Sequence, residues 1–247
     1  MKLAERIDPR LSVLGRRLAS VRAVLPIMSH KGGVGKTVIS TALAFALAAD
    51  GRRVGLFDAD LANPTIHVVL GLPLDVKPAE ERGVLPVDVE GIKFMSAAFY
   101  TMDSPMPFRG FHATDALKEL FAITRWEGVE YLIIDMPPGA GDEQMDLLEW
   151  LREKARVLVV ATPSALAMRG ALKTLALVRE HGVEVLGLVV NMYRGERLDA
   201  MEGLRQLAVY RVPYVEGLES YMGSPQSWSR SPIVHGLSDL ARAIASG

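Results

Sequence analysis

The run Gly32-Gly33-Val34-Gly35-Lys36-Thr37 limits the fold more than any other part of the chain, because of what flanks it. Arg22–Ser29 reads as an apolar strand, and Lys36 to about Asp50 as an Ala/Leu-rich buried helix closed by Gly51. A glycine loop that joins a strand to a helix and ends in Lys-Thr is a phosphate cradle. Its backbone N–H groups converge on phosphate oxygens, and the positive end of the helix points at the same anion. Lys36 is expected to reach the β- and γ-phosphates of ATP, and the Thr37 hydroxyl to ligate Mg2+. Gly32, Gly33, Val34, Gly35 and Val38 are the remaining nucleotide-binding candidates along this stretch. A glycine turn that merely caps a helix would leave the Lys-Thr pair without a purpose.

The alternation continues beyond the loop. Strand-like runs fall at Arg53–Asp58, Ile92–Ala97, Tyr131–Asp135, Val157–Ala161, Val185–Asn191 and Tyr210–Val215. Helix-like runs fall at Leu11–Val21, Ala113–Arg125, Glu143–Lys154, Ala165–His181 and Ser238–Ala245. This rhythm specifies an α/β fold, a mostly parallel twisted sheet with helices on both faces. Leu72–Glu90 and Tyr100–His112, rich in Pro, Gly and charge, break the rhythm and read as surface loops near a site. With 247 residues and no low-complexity linker, the expected organisation is a single P-loop domain, residues 1–22 an N-terminal helix and extension and 23–247 the core.

Two acidic segments end strands, where a parallel sheet presents its functional groups. In Phe57-Asp58-Ala59-Asp60, Asp60 is the candidate for positioning an attacking water, and Asp58 for outer-sphere Mg2+ contact or loop bracing. Leu61-Ala62-Asn63-Pro64-Thr65 follows as a nucleotide-sensing switch that includes Asn63. Tyr131-Leu132-Ile133-Ile134-Asp135 has the apolar-run-then-Asp form of a Walker B strand, so Asp135 is expected to hold Mg2+ through a water. After it, Pro137 and Pro138 stiffen a loop whose Gly139 N–H is placed to sense the γ-phosphate.

Composition narrows the partners. A net charge of −1 argues against a nucleic-acid surface. Zero cysteines remove disulfides and thiolate metal sites. No run approaches the roughly 20 apolar residues of a membrane span, and the C-terminal segment lacks the basic face of an interfacial anchor, so the expected location is cytoplasmic. The five histidines show no metal-ligand spacing. Arg16-Arg17 and Arg152–Arg156 read as solvated faces, and Asp142, Glu143 and Asp146 as a helix-start charge cluster.

The form Lys31-Gly32-Gly33, with a lysine before the loop as well as Lys36 at its end, resembles the deviant Walker loop of the ParA/MinD/Mrp/nitrogenase-iron-protein class. His30 lies at a position where that class varies. The resemblance implies an ATP-coupled homodimer in which Lys31 crosses the interface to phosphates on the partner's ATP. Asp135-Met136-Pro137-Pro138-Gly139-Ala140-Gly141-Asp142 is similar to the Mrp/ApbC branch, ATPases associated with iron–sulfur cluster handling. Pro107-Phe108-Arg109-Gly110, Trp126 and Ala161-Thr162-Pro163-Ser164-Ala165 agree with that branch. Val189-Val190-Asn191-Met192 resembles its base-recognition strand, making Asn191 the adenine contact, with Pro213 a further cofactor contact. Many members then carry Cys-x-x-Cys; here the chain reads Tyr193-Arg194-Gly195-Glu196-Arg197. The implied function is an ATP-hydrolysing dimeric switch with an unidentified client or cofactor-assembly partner, its cofactors ATP and Mg2+, with no iron–sulfur cluster expected on this chain. The alternative is a ParA/MinD-like positioning ATPase acting on DNA or membrane.

Overall fold

The computed structural model describes residues 9–101, 111–198, 203–204 and 207–247. Strands β1 (Ala23–Met28), β2 (Val54–Asp58) and β5 (Tyr131–Asp135) are buried along their whole length, as their unbroken apolar runs require of a sheet covered on both faces. They form the centre of an eight-stranded sheet with β3 (Val87–Val89), β4 (Ile92–Ser96), β6 (Arg156–Ala161), β7 (Glu184–Tyr193) and β8 (Val209–Pro213). The order is β3-β4-β2-β5-β1-β6-β7-β8, parallel except for β3, which pairs antiparallel with β4. The helices are α1 (Pro9–Arg17), α2 (Lys36–Ala49), α3 (Ile66–Leu70), α4 (Ala98–Thr101), α5 (Phe111–Ile123), α6 (Asp142–Leu151), α7 (Ala165–Glu180), α8 (Pro225–Ser229), α9 (Pro232–Gly236) and α10 (Ser238–Ser246). Helix α2 packs on β1, β2 and β5 and against α8, α9 and α10.

The order places three strand ends side by side. Asp135 is in register with Ile27 of β1 on one side and Asp58 of β2 on the other. The loop after β1 and both acidic strand ends therefore open on the same carboxyl edge, where parallel sheets bind ligands. Proline at position 26 is unusual for a central strand, since it cannot donate to a ladder. The Val24 N–H points at β6, donating to Lys154 O at 2.8 Å, so Pro26, two residues on, faces the same neighbour. The β1–β6 pairing is broken there, between the Val24–Ala155 bridge and the Ile27–Leu158 pair.

The principal strands and helices lie where the periodicity puts them; the short elements do not. Leu72–Glu90 is not wholly loop, because Val87–Val89 forms β3. Glu90 (φ 52°) and Gly91 (φ 81°) both adopt left-handed backbone between the Val89–Ile92 pair, the pattern of a type I′ hairpin. The other irregular stretch, Tyr100–His112, contains the end of α4 and the start of α5, and its segment Pro107–Gly110 lies outside the described residues. Arg17 is not a solvated charge: it pairs with Glu127 at 2.7 Å and donates to the Arg82 carbonyl, tying α1 to two loops. Asp146 likewise belongs to a tie, accepting from Lys118 of α5 at 2.5 Å.

Helix α3 ends at Gly71, whose φ of 63° and close neighbour both demand glycine: a Cβ there would come within 2.0 Å of the Gly223 carbonyl oxygen. The Gly223 N–H in turn donates to Val69 O at 2.9 Å, joining α3 to the loop before α8. Gly71→Ala is expected to cost at least about 2 kcal/mol, a fall of roughly 4–8 °C in melting temperature for a chain of this size. Differential scanning calorimetry of the variant checks it.

Candidate functional site

Helix α2 starts at Lys36, capped by Gly35 in left-handed conformation (φ 83°). A Cβ on Gly35 would sit 2.3 Å from Asn191 Nδ2, so the loop needs glycine there for conformation and for space. The same Asn191 amide donates to the Val34 carbonyl at 2.9 Å, holding the end of β7 against the phosphate loop. Its Oδ1 accepts no hydrogen bond among the described residues. Pro213 ends β8 in register with Tyr193, two residues beyond Asn191 on the neighbouring strand. Lys31 is exposed on the rim of the loop, as are Gly32 and Gly33, while Val34 is buried beneath it. Val38 is half-buried on the first turn of α2.

The centre of the site is Asp135. Lys36 Nζ lies 2.7 Å from its Oδ1, and Thr37 Oγ1 donates to its Oδ2 at 2.7 Å. Ser40 Oγ, one turn along α2, also stands 2.7 Å from Oδ1. Lys36 is 8% and Asp135 1% exposed, so this ion pair is shielded from water. The sequence reading missed Ser40, although a serine within an Ala/Leu-rich buried helix, four residues after the lysine, is a legible signal.

Asp58 stands beside Asp135 on β2, fully buried. It braces the segment that follows: Thr65 and Ile66 donate their N–H groups to its Oδ2 at 3.2 and 3.3 Å, and Asp60 donates to Oδ1 at 3.3 Å. Burial, and next the negative charge of Asp135, push the Asp58 carboxyl up to about 8 from an ordinary 3.8. Asp60 is half-buried and accepts the Asn63 N–H at 3.1 Å; burial raises its carboxyl above the ordinary value against that hydrogen bond. Asn63 is exposed, and Thr65 Oγ1 reaches Thr37 Oγ1 at 3.4 Å, so the stretch 61–65 returns to the phosphate loop.

The loop after Asp135 is held at three points. The Gly139 N–H, the candidate γ-phosphate sensor, here donates to Ser29 O at 2.9 Å. Gln144, at the third position of α6, accepts the Gly141 N–H at 2.9 Å and donates to Pro138 O at 3.1 Å. The sequence reading passed over Gln144; a glycine followed three positions later by glutamine at a helix start was its signal.

Mg2+ fits these residues. Thr37, Thr65 and the two aspartates supply hard oxygen donors, and the two buried carboxylates stand in register on neighbouring strands. No cage of three or more His, Cys, Asp or Glu side chains exists among the described residues. Phosphate oxygens and water would have to complete the coordination, as Mg2+ commonly requires.

Residues 20–205 match the ParA family, described as NUBPL iron-transfer P-loop NTPase. The chain is 39% identical over 178 residues to an iron–sulfur cluster carrier protein of Pseudomonas fragi, covering 71% of this chain and 62% of that protein. A cytosolic Fe-S cluster assembly factor Nubp2 homolog of Drosophila virilis is 36% identical over 183 residues, 71% of this chain and 68% of the relative. Against an iron–sulfur cluster carrier protein of Haemophilus influenzae, 39% identical over 175 residues and 70% of this chain, the match spans only 47% of the relative. The chain thus matches less than two thirds of either bacterial carrier protein's length. Among solved structures, the nucleotide-binding protein of Archaeoglobus fulgidus in complex with ADP superposes with a TM-score of 0.71 at 25% identity, over 91% of this chain and 95% of that one. The Pyrococcus furiosus cell division ATPase MinD, at 20% identity and TM-score 0.66 over 92% and 99%, shares the fold.

The raised Asp58 carboxyl has a consequence for stability. Its folded value lies above its unfolded one, so its contribution to stability is full below about 3.8 and is lost as pH rises through about 8. In metal-free buffer the melting temperature is expected to fall between pH ~5 and pH ~9 through this group. Asp58→Asn should flatten that decline, which thermal melts across the range measure.

Proposed function

Given that the chain belongs to the ParA family of NUBPL-type iron-transfer P-loop NTPases, we propose that it is a Mg2+-dependent ATP hydrolase of the Mrp type, working as an ATP-coupled homodimeric switch accessory to iron–sulfur cluster or metallocofactor assembly. The observation that carries this reading is the convergence of Lys36, Thr37 and Asp135 within 2.7 Å contacts beside Asp58, at the carboxyl edge of the sheet.

The loop from Gly32 to Thr37 wraps the phosphates with its N–H groups, and Lys36 leaves Asp135 to neutralise the β- and γ-oxygens. Thr37, Asp135 and Asp58 are the residues that would hold Mg2+, which would supply neutralisation of phosphate charge. Asp60 orients the attacking water and takes its proton, for which a carboxyl raised by burial is better suited than an ordinary one. Water's oxygen bonds to the γ-phosphorus as the β–γ bridge breaks, giving ADP and phosphate. Asn191 offers its free Oδ1 to the adenine amino group, and Pro213 lies on the adjoining strand end.

Nucleotide state is read by two segments. Asn63 to Thr65 is bound to both carboxylates' neighbours, so movement at Thr37 reaches it through Thr65. Gly139 must give up Ser29 O to reach a γ-phosphate, which shifts Pro138 and the loop to Gln144. Lys31, exposed on the rim, reaches the partner protomer's phosphates and stabilises charge that develops during transfer.

The cargo class rests on the relatives, whose names are iron–sulfur cluster carrier protein and Fe-S cluster assembly factor. With no cysteine in the chain, thiolates for a cluster would come from a client or assembly partner. Among the described residues no helix is long and apolar enough to cross a membrane.

Basal turnover is expected at about 10⁻⁴–10⁻² s⁻¹, measured by phosphate release. Asp60→Ala should lower it at least ~100-fold; unchanged turnover would mean that another group positions the water. Lys36→Ala should lose nucleotide affinity in a fluorescent-nucleotide titration. Lys31→Ala should retain much of the binding but lose hydrolysis and ATP-driven dimerisation, and equal turnover in wild type and this variant would sink the cross-protomer role. Anaerobic reconstitution should leave no stoichiometric cluster on the chain alone, read by iron content and absorbance.

A further inference from the structure

A buried serine stands inside the phosphate site with more acceptors than it can serve. Ser40 is fully buried on the inner face of α2. Its Oγ lies 2.7 Å from Asp135 Oδ1 and 3.0 Å from the Lys36 carbonyl oxygen. A hydroxyl carries one proton, so it donates to one of these at a time. Asp135 Oδ1 is also contacted by the Lys36 ammonium at 2.7 Å, and a carboxylate oxygen can accept from both donors while Lys36 stays where it is.

Phosphate binding disturbs this arrangement. Lys36 cannot both remain on Asp135 and neutralise the β- and γ-phosphates, and when it leaves, a carboxylate 1% exposed loses its charged partner. A buried carboxylate that loses a bonded donor is costly and would turn toward another, which spoils its aim as a metal contact. Thr37 cannot cover the loss, because it serves the other oxygen, Oδ2. Ser40 can. By rotating its hydroxyl from the Lys36 carbonyl to Oδ1, it supplies a donor at the vacated oxygen without any backbone movement.

We propose that Ser40 is a positioning residue, a swivelling donor that takes over Asp135 Oδ1 when Lys36 moves to the nucleotide and so keeps Asp135 aimed at Mg2+. This rests on the reading of the site as a Mg·nucleotide site. The charge transfer is local: one hydrogen bond to a carboxylate is exchanged for another, and the Lys36 carbonyl retains its place in the α2 ladder. A serine whose only purpose was the bond back to the Lys36 carbonyl would be indifferent to metal.

The test separates metal from nucleotide. Mant-ADP is titrated into Ser40→Ala in EDTA, and Mg2+ is then titrated into the protein–nucleotide mixture. The inference expects affinity in EDTA within about twofold of wild type, and a half-saturating Mg2+ concentration raised roughly tenfold, the scale of a lost hydrogen bond to a charged group. A Mg2+ titration that superimposes on wild type overturns the proposal. So does an equal loss of affinity with and without Mg2+, which would mark Ser40 as structural. If Ser40→Ala does not fold, Ser40→Cys, which keeps the volume with a weak donor, reads the same ratio. Wild-type protein that binds mant-ADP without any response to Mg2+ would instead remove the reading of the site itself, and this inference with it.

Discussion

Almost everything in this molecule that concerns nucleotide is organised by one buried ion pair, Lys36 with Asp135 at 2.7 Å. Burying two charges costs several kcal/mol for each ion, and the cost is recovered only when geometry and further hydrogen bonds are favourable. Thr37 and Ser40 provide those bonds, both from the first turns of α2, so a single helix start supplies every side-chain donor on Asp135. The neighbouring Asp58, in register on β2, adds a second carboxyl, which burial first and the charge of Asp135 next raise to about 8. A carboxyl raised this far holds its proton near neutrality, and a cation bound beside it would favour the proton's release.

The sheet order converts this local chemistry into linkage. With β1 between β5 and β6, and β2 on the far side of β5, the segments leaving β1, β2 and β5 emerge as neighbours. Each is then fastened by backbone bonds: Asp58 to Thr65 and Ile66, Ser29 to Gly139, Gln144 to Pro138 and Gly141. All are weak enough individually, about 1 kcal/mol net, for phosphate binding to rearrange. From β7, Asn191 secures the loop at Val34 through its side-chain amide.

How much of this the sequence discloses depends on the length scale of the signal. The long periodic elements and the strand-loop-helix of residues 22–50 are legible because burial imposes their pattern. So are Lys36, Thr37 and Asp135, which type and spacing single out and the fold brings within 2.7 Å contacts. Short elements escape: α8 and α9, each started by a proline, and the hairpin through Glu90-Gly91 are fixed by a few turn dihedrals rather than by a period. The residues that hold other residues escape too. Ser40 and Gln144 bond to Asp135, Pro138 and Gly141, so their part lies in contacts only the fold creates, and Arg17 reads as a surface charge until Glu127 and the Arg82 carbonyl are brought to it by the fold.

The segment after Asn191 shows what a change of ligand chemistry does to the same scaffold. Where the resemblance leads one to expect Cys-x-x-Cys, the chain closes a polar turn on itself: Tyr193 OH donates to Glu196 O at 3.0 Å, and the Arg194 N–H to the Glu196 carboxylate at 2.7 Å. The Arg194 guanidinium lies 3.8 Å over the Tyr214 ring, and Arg211 approaches Tyr193 at 5.8 Å. Cations, a phenol and a carboxylate already paired within the turn offer no soft donor to iron or sulfide. The turn hangs from β7 two residues beyond the amide that grips the phosphate loop, so one strand end joins this polar cluster to the loop.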